Sequence, residues 1–570
     1  MTQLLADALA SDDDAERLVY ADWLEQQGDI ARGQLIHLQC ELARVGRFDR
    51  RTFELETEIE AILDEHGERF RSELPDLSAV LWTDFARGFV ATARVHDLET
   101  LDIQAAAIAG APAQISRIEL AYDNQHLVDR ELPWLHELVV SDEDAGAELA
   151  QLLAKSPWAR KLTALEIPSR FVDDDSGYAD DPTLGAAGAK ALTALAGLER
   201  LTIDRQRVGT KGFAQIVRAL ANLRELRARE CLIQKLDGLA HVTGAPVVHL
   251  DLGRNAIGNT GAKILAHAPR LAELQSLELD TCEVGSSGLA ELVSAPWWRT
   301  LRRLDLSRNP IGASGLRALA EGPRPSQLHA LIAADADLDD QAGHLLAKIP
   351  WLGQLAILDL SGNRLARGAA SLRSIAPEAL RRLALSATGL ERTEAAALAR
   401  FWPHLIELDL GINVLTDAGL ERFVTMKEAT ALQRLELRDC AIGDDGIELL
   451  ARRARCPRLR RLGLADNTVR PAALEMLLGS PLGQRLESLD LAASLDDEAA
   501  LVLTRTTLPP RLRHLDLRRN ELAEATLLTI ADAPGLVAIR NVLLDGDPWG
   551  FAPASRDRLA ARFGPEWYRS

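Results

Sequence analysis

The chain has 570 residues, 47% hydrophobic and 26% charged, which excludes a long disordered, collagenous or low-complexity polypeptide. No window offers ~18 uninterrupted apolar residues, and the stretch from Met1 to Asp14 lacks a basic leader region, so neither a membrane span nor a secretory signal is expected. The net charge is −19, with 39 acidic and 18 basic residues before position 201 and a nearly balanced remainder; such a field disfavours non-specific binding to nucleic-acid phosphates.

The acidic front third either keeps the chain soluble or attracts a basic protein. Five scattered cysteines make no disulfide framework and predict a reducing, cytoplasmic setting.

The first hundred or so residues read as helices: Leu4 to Leu9, Ala15 to Gln27, Asp29 to Val45 and Thr52 to His66. Gly28 fits a helix stop, and Asp29 fits the cap of the next helix. Tyr20, Asp22 and Trp23 share one helix; packing and capping in a small domain is expected of them rather than chemistry. The run Arg17-Leu-Val-Tyr-Ala-Asp-Trp-Leu-Glu25, followed by Gly28-Asp29, Arg32-Gly33 and Leu35-Ile-His-Leu-Gln39, resembles the bacterial repeat-companion domain. Arg87-Gly-Phe-Val90 and Ala91 to Val95 resemble the strand that joins that domain to the repeats following it. The resemblance implies no biochemical role.

From there a repeat dominates. The pattern L-x-x-L-x-L recurs clearly from Leu274, Leu301, Leu405, Leu432, Leu459, Leu486 and Leu512. Looser copies start at Ile115, Leu135, Leu162, Leu198, Leu223, Val247, Leu328, Leu355 and Leu380, with a degenerate one near Leu536. From Leu223 onward the copies lie 24 to 27 residues apart, most often 27. Alternation of the second and third leucines with polar residues predicts a strand buried on one side. Gly-x-x-Gly then opens an apolar helical stretch, as at Gly258/Gly261 and Gly312/Gly315. Pro269, Pro296, Pro350 or Pro457 ends it. One strand and one helix cannot bury their own apolar faces, so neighbours must stack. The Pro-Trp units at Trp158, Trp297 and Trp351, and Trp402-Pro403, read as packing wedges.

Eight places after the first leucine the residues run Cys231, Asn255, Cys282, Asn309, Ala336, Asn363, Thr388, Asn413, Cys440, Asn467, Ser494 and Asn520. An asparagine amide or a small side chain inside a turn can satisfy or clear the backbone. Repeat length and alternation together resemble the ribonuclease-inhibitor type of leucine-rich repeat. That resemblance implies an α/β solenoid, a horseshoe with parallel strands on its concave face and helices on its convex face. The expected organisation is residues 1–102 as helical domain and N-terminal cap, 103–540 as about sixteen repeats with an acidic insertion at 170–184, and 541–570 as C-terminal cap.

No P-loop, H-E-x-x-H, C-x-x-C or G-x-S-x-G pattern is present, and the Gly-x-x-Gly pairs belong to the repeat. Phe171 to Asp181 holds five aspartates without the spacing of an EF-hand; a solvated loop is expected. No catalytic residue, metal or cofactor is therefore expected. The position between the second and third leucines should face the concave side, and ten of its sixteen residues are acidic. Asp251, Glu278, Asp305, Asp359, Asp409, Glu436, Asp490 and Asp516 form the candidate partner-binding column. Arg117, Arg200, His249, Arg303, Arg382, Arg434, Arg461 and His514 stand two residues earlier, so the two rows can also pair as a solvent-exposed ladder. The expected function is a monomeric, non-enzymatic solenoid binding a basic protein, with no nucleic acid and no membrane. An inhibitor or immunity-like protein blocking an enzyme, or a GTPase-activating protein using a repeat-borne Arg or Asn, are the alternatives.

Overall fold

The computed structural model describes residues 2–10, 13–45, 50–96, 98–111, 113, 115–120, 132, 135–140, 146–169, 183–426, 428–537, 539–545, 550–564 and 567. The aspartate-rich stretch Phe171 to Asp181 and the Asp547-Pro548-Trp549 unit lie outside them. The chain forms two compact units, residues 1–305 with 323–329 and residues 306–322 with 330–570.

The first unit opens with helices α1 (Thr2–Ala10), α2 (Asp14–Gln26), α3 (Ile30–Val45) and α4 (Arg50–Ser72). Gly28 has φ +93°, and the Asp29 carboxylate accepts from the Arg32 N–H at 3.4 Å, the stop and cap that those residue types predict. α4 runs past His66 because Phe70 is buried with Leu35, Leu55 and Ile59, which rewards another turn. Tyr20 is buried beside Ala21, Leu24, Ile36 and Phe89. Asp22 points outward to His37 Nε2 at 3.1 Å, so Tyr20 packs as expected, whereas Asp22 pairs with the next helix and the cap of its own helix is Asp13.

A two-stranded hairpin, Phe85–Ala86 with Phe89–Val90, docks on α3. The Gln39 amide donates to the Phe85 carbonyl at 3.0 Å and its oxygen accepts from the Gly88 N–H at 2.7 Å. Gly88 has φ +86°, and a Cβ there would run into the Ile36 side chain. Only glycine meets both demands, which explains the Arg-Gly-Phe-Val sequence.

A parallel ladder follows. It starts at Thr92–Val95, whose other edge is covered by the antiparallel strand Val80–Trp82. In this unit it proceeds through the strands from Arg117–Leu120 to Arg303–Asp305. In the second unit it runs from Ala330–Ile332 to Asn541–Leu543. Every one of the sixteen copies read from the sequence carries a strand. The degenerate copy is displaced: Val542 pairs with Leu515, which puts its first apolar position at Ile539. Leu536 is buried in the short helix Pro534–Val537.

Strand stacks on strand and helix on helix, so the chain is a leucine-rich-repeat solenoid, as the periodicity implies. Leu274, Leu277 and Leu279 are fully buried. The helices Gly258–His267 and Ser286–Val293 pack side by side. Proline opens the 3-10 turns Pro269–Leu271, Pro296–Arg299 and Pro350–Gln354. The indoles fill the joints as expected: Trp297 Nε1 donates to the Leu265 carbonyl at 3.0 Å and Trp351 Nε1 to the Leu319 carbonyl at 3.3 Å. A helix in every repeat is not what forms. None lies between strands Glu225–Arg227 and His249–Asp251, where the step is only 24 residues and turns bury Leu236 and Leu239 instead.

The turn residues build a second ladder under the strands. Asn363 Oδ1 accepts from Ala336 N and Leu338 N at 2.9 and 3.0 Å, and its Nδ2 donates to the Ala333 and Leu360 carbonyls at 2.7 and 2.8 Å. Asn255, Asn413, Asn467 and Asn520 repeat the arrangement. Between them Cys231 Sγ donates to the Ile203 carbonyl at 2.9 Å and Cys440 Sγ to the Leu410 carbonyl at 3.1 Å. All five cysteines are buried and unbridged; burial pushes the Cys231, Cys282 and Cys440 thiols up to about 12. Gln206 extends the register one repeat further back, accepting from Leu184 N at 2.8 Å.

Candidate functional site

The eight column residues all end strands, at the register the sequence predicts: Asp251, Glu278 and Asp305 in the first unit, and Asp359, Asp409, Glu436, Asp490 and Asp516 in the second. They are not the exposed column expected. Asp251 is buried and the other seven are half-buried. The physical reason is a backbone role. The carboxylates of Asp251, Asp359, Asp409, Asp490 and Asp516 each accept the N–H two residues on, at 2.9–3.0 Å. Short aspartate side chains thus satisfy the donor where each strand leaves the ladder.

Arginines cover what remains of this acidic layer. Arg303 Nε reaches Glu278 at 3.2 Å, Arg434 Nε reaches Glu436 at 3.0 Å, and Arg518 clasps Asp516. In the first unit Arg117 passes over the strand Glu137–Val140 to Glu166 at 2.8 Å, and Arg200 pairs with Glu137. Depth decides which charge meets solvent. The Arg227 side chain is 55% exposed above Asp204 and Asp251, at 13% and 12%. Arg200 is 45% exposed against 23% for Glu137, and Arg382 is 47% against 21% for Glu407. The rows do pair, as the ladder expectation holds; at Arg200, Arg227, Arg382, Arg434 and Arg518 the guanidinium group stands above its carboxylate, whereas Arg303 and Glu278 are equally exposed and Glu166 is more exposed than Arg117.

The densest part surrounds Asp251. Arg229 Nη1 lies 3.1 Å from Asp251 Oδ1, and its two terminal nitrogens hold both oxygens of Asp280 at 2.7 and 2.8 Å. To reach Asp280, Arg229 crosses the intervening repeat at Gly253. A Cβ on Gly253 would run into both the Arg229 guanidinium and the Asp280 carboxylate. Burial, then the charge of Glu278, pushes the Asp251 carboxyl up to about 7 despite Arg229 and the Gly253 N–H. Burial also raises Asp204, Asp409, Glu436 and Asp490. Beside this cluster lies an open polar depression of about 540 Å³, lined among others by Arg117, Arg200, Arg227, His249, Glu225 and Glu278.

Arg227 stands in the column's own register, as one of its six non-acidic members; Arg229, Asp204 and Asp280 are the residues that reading the column alone misses. Asp204, Arg229, Gly253 and Asp280 occupy the same position in successive repeats, two places after the column, so the row was visible in the sequence; the step over Gly253 was not. Among the described residues no group of three metal-ligating side chains forms, and no helix is long and apolar enough to cross a membrane.

A family model described as Leucine Rich repeat matches residues 246–266, 299–320, 403–424 and 429–451, so leucine-rich repeats are present in the chain. No curated protein matches. Among solved structures, the chain is similar to one in the TLR13–ssRNA13 complex, at 18% identity and TM-score 0.43, covering 76% of this chain and 59% of that one, under two thirds of its length. It is similar to one in the mouse RP105/MD-1 complex, at 16% identity and TM-score 0.39, covering 76% of this chain and 78% of that one. It is also similar to one in the yeast Rad7 and Elc1 complex, at 16% identity and TM-score 0.34, covering 51% and 83%.

Proposed function

We propose that this chain is a non-enzymatic, protein-binding leucine-rich-repeat solenoid of the ribonuclease-inhibitor type, whose partner docks on the strand side. The observation that carries the reading is the strand side itself: stacked rows of charged side chains, held in place by a rigid ladder, repeated across many strands. Such a surface suits another macromolecule, because contacts at successive repeats add along its length. The alternation of asparagine with cysteine or another small residue supports the ribonuclease-inhibitor type. The helices α1 to α4 with their docked hairpin support a repeat-companion domain over about residues 1–95, and the buried free thiols suit a reducing, cytoplasmic setting.

A basic partner is the second reading, favoured by the concentration of acidic residues before position 201. Long-range attraction would speed its arrival. Within this reading the solenoid acts as an inhibitor or immunity-like protein, or as a monomeric scaffold. Affinity purification from the native host at low and high salt tests both. One protein co-eluting, and lost when Arg227 and Arg382 are both changed to Gln, supports strand-side binding. A partner retained by that variant and by its Asp359→Asn, Asp409→Asn counterpart overturns it.

A further inference from the structure

We propose that the strand side of the first unit grips a carboxylate-bearing polypeptide segment through the free ends of Arg227 and Arg200, and not through the acidic register beneath them. This rests on the protein-binding reading above and names the chemistry of the partner.

The argument is atomic. Arg227 spends its Nε on Asp204 Oδ2, at 2.5 Å, with Asp251 3.7 Å away. Its Nη1 and Nη2 carry no hydrogen bond among the described residues, and more than half of the side chain is open to solvent. A guanidinium anchored at Nε presents its two terminal nitrogens as a fixed fork, the geometry that takes a carboxylate through two parallel bonds. Anchoring also removes much of the side-chain entropy that an exposed ion pair otherwise costs. Arg200 is held at Nη2 by Glu137, which leaves Nε and Nη1. Both arginines border the polar depression. The Nε attachment recurs nearby, in Arg94 on Glu119 and Arg303 on Glu278, and Arg94, like Arg227, is more than half exposed above its carboxylate.

The two carboxylates beneath Arg227 are largely buried and occupied. Asp251 is occupied by the Gly253 N–H and Arg229, and Asp204 by the Arg229 N–H and Arg227. A basic segment laid here would meet guanidinium groups before it met these carboxylates. Glu166, Glu225 and Glu278 also line the depression. They tolerate separated carboxylates but repel a continuous polyanion, and the net charge of −19 acts in the same sense. Nucleic acid, with a phosphate on every nucleotide, fits worse than a peptide with spaced acidic side chains.

The test uses the full chain and three probes in titration calorimetry: an alternating Ala–Glu hexapeptide, its Ala–Lys counterpart, and a single-stranded thymidine hexamer. The Ala–Glu peptide should bind. Arg227→Gln and Arg200→Gln should each weaken it about threefold or more, and Arg227→Lys should not restore it, because one ammonium cannot hold Asp204 and present a fork. Arg218→Gln, on an exposed helix position, should change nothing. Thermal melting confirms folding; should Arg227→Gln unfold, Arg200→Gln carries the test. Preference for the Ala–Lys peptide, indifference to both arginine substitutions, equal binding of the thymidine hexamer with the same arginine dependence, or no binding of any probe overturns the proposal. The native-host purification decides the protein-binding reading separately, so the two can fail independently.

Discussion

Asn363 shows how much one side chain carries here. It is buried and makes four ladder bonds to two repeats, so Asn363→Ala would orphan two N–H donors and two carbonyls at once. Allowing for partial relaxation, the variant should lose about 3 kcal/mol, read from urea unfolding, against under about 0.5 kcal/mol for an exposed surface change such as Arg364→Ala. Asp251 makes a different prediction. Its folded carboxyl is raised from 3.8 to about 7, so between those values the folded chain binds the proton and the unfolded chain does not. Its contribution to stability therefore falls as pH rises through that window. Asp251→Asn keeps an acceptor for the Gly253 N–H and removes the charge. The variant should gain relative to the natural chain on going from about pH 5 to about pH 8; a difference that stays constant with pH would mean that Arg229 holds the carboxyl at its ordinary value.

Each turn between strand and helix carries a local cost that the stack offsets. The residue just before the turn asparagine or cysteine is left-handed, as at Arg254, Arg308, Asp439 and Asp466. Its N–H still donates to the next repeat, Arg254 to Asp280 and Asp439 to Ala465, at 2.7 and 2.8 Å. Ile412 occupies this position with φ +54°, although β-branched residues avoid that region, and its side chain is 47% exposed. Ile412→Asn should thus raise stability by about 1 kcal/mol, measured as a shifted urea midpoint. No gain would mean that the Ile412 side chain finds compensating contacts. Gly253→Ala acts at the same scale in the opposite direction: the added methyl should push Arg229 off Asp280 and destabilise the chain by about 1–3 kcal/mol. Asp280→Asn, which weakens the same pair without adding bulk, should reduce the penalty of the alanine in a double-mutant cycle.

At the scale of the whole molecule the question is which charge a partner meets. Replacing Asp359 and Asp409 with lysine would confound the answer, because lysine cannot accept from Ser361 N and Gly411 N. Asparagine can. The Asp305→Asn, Asp359→Asn, Asp409→Asn variant should therefore fold with a near-natural melting temperature. If the arginine layer makes the contact, this variant should bind the co-purified partner at an unchanged or slightly faster rate. A basic partner reading the acidic column would associate more slowly at low salt, and the difference would shrink as salt screens it over about 8–10 Å. Stopped-flow association at two ionic strengths separates the two outcomes.

The solenoid was legible from the sequence because each repeat writes its strand with two buried leucines and a period near 27, and burial on one face needs nothing beyond that period. The buried cysteines, the Trp wedges and the outline of the N-terminal helices followed from local rules of the same kind: packing, turn satisfaction, stop and cap. The end of α4 at Ser72, the missing helix after Arg227 and the shift of the last copy to Ile539 did not, because a distant packing partner or a shortened step decides them. The column was placed at the right positions and assigned the wrong depth. Alternation tells which residues leave the core, but not that an aspartate will fold back onto the N–H two residues on. Nor does it tell that Arg229 will cross Gly253 to Asp280, or that Arg227 will stand above Asp204 with its terminal nitrogens free. Those outcomes depend on the lateral spacing of strands 22 to 51 residues apart in sequence, which only the stacked tertiary structure sets.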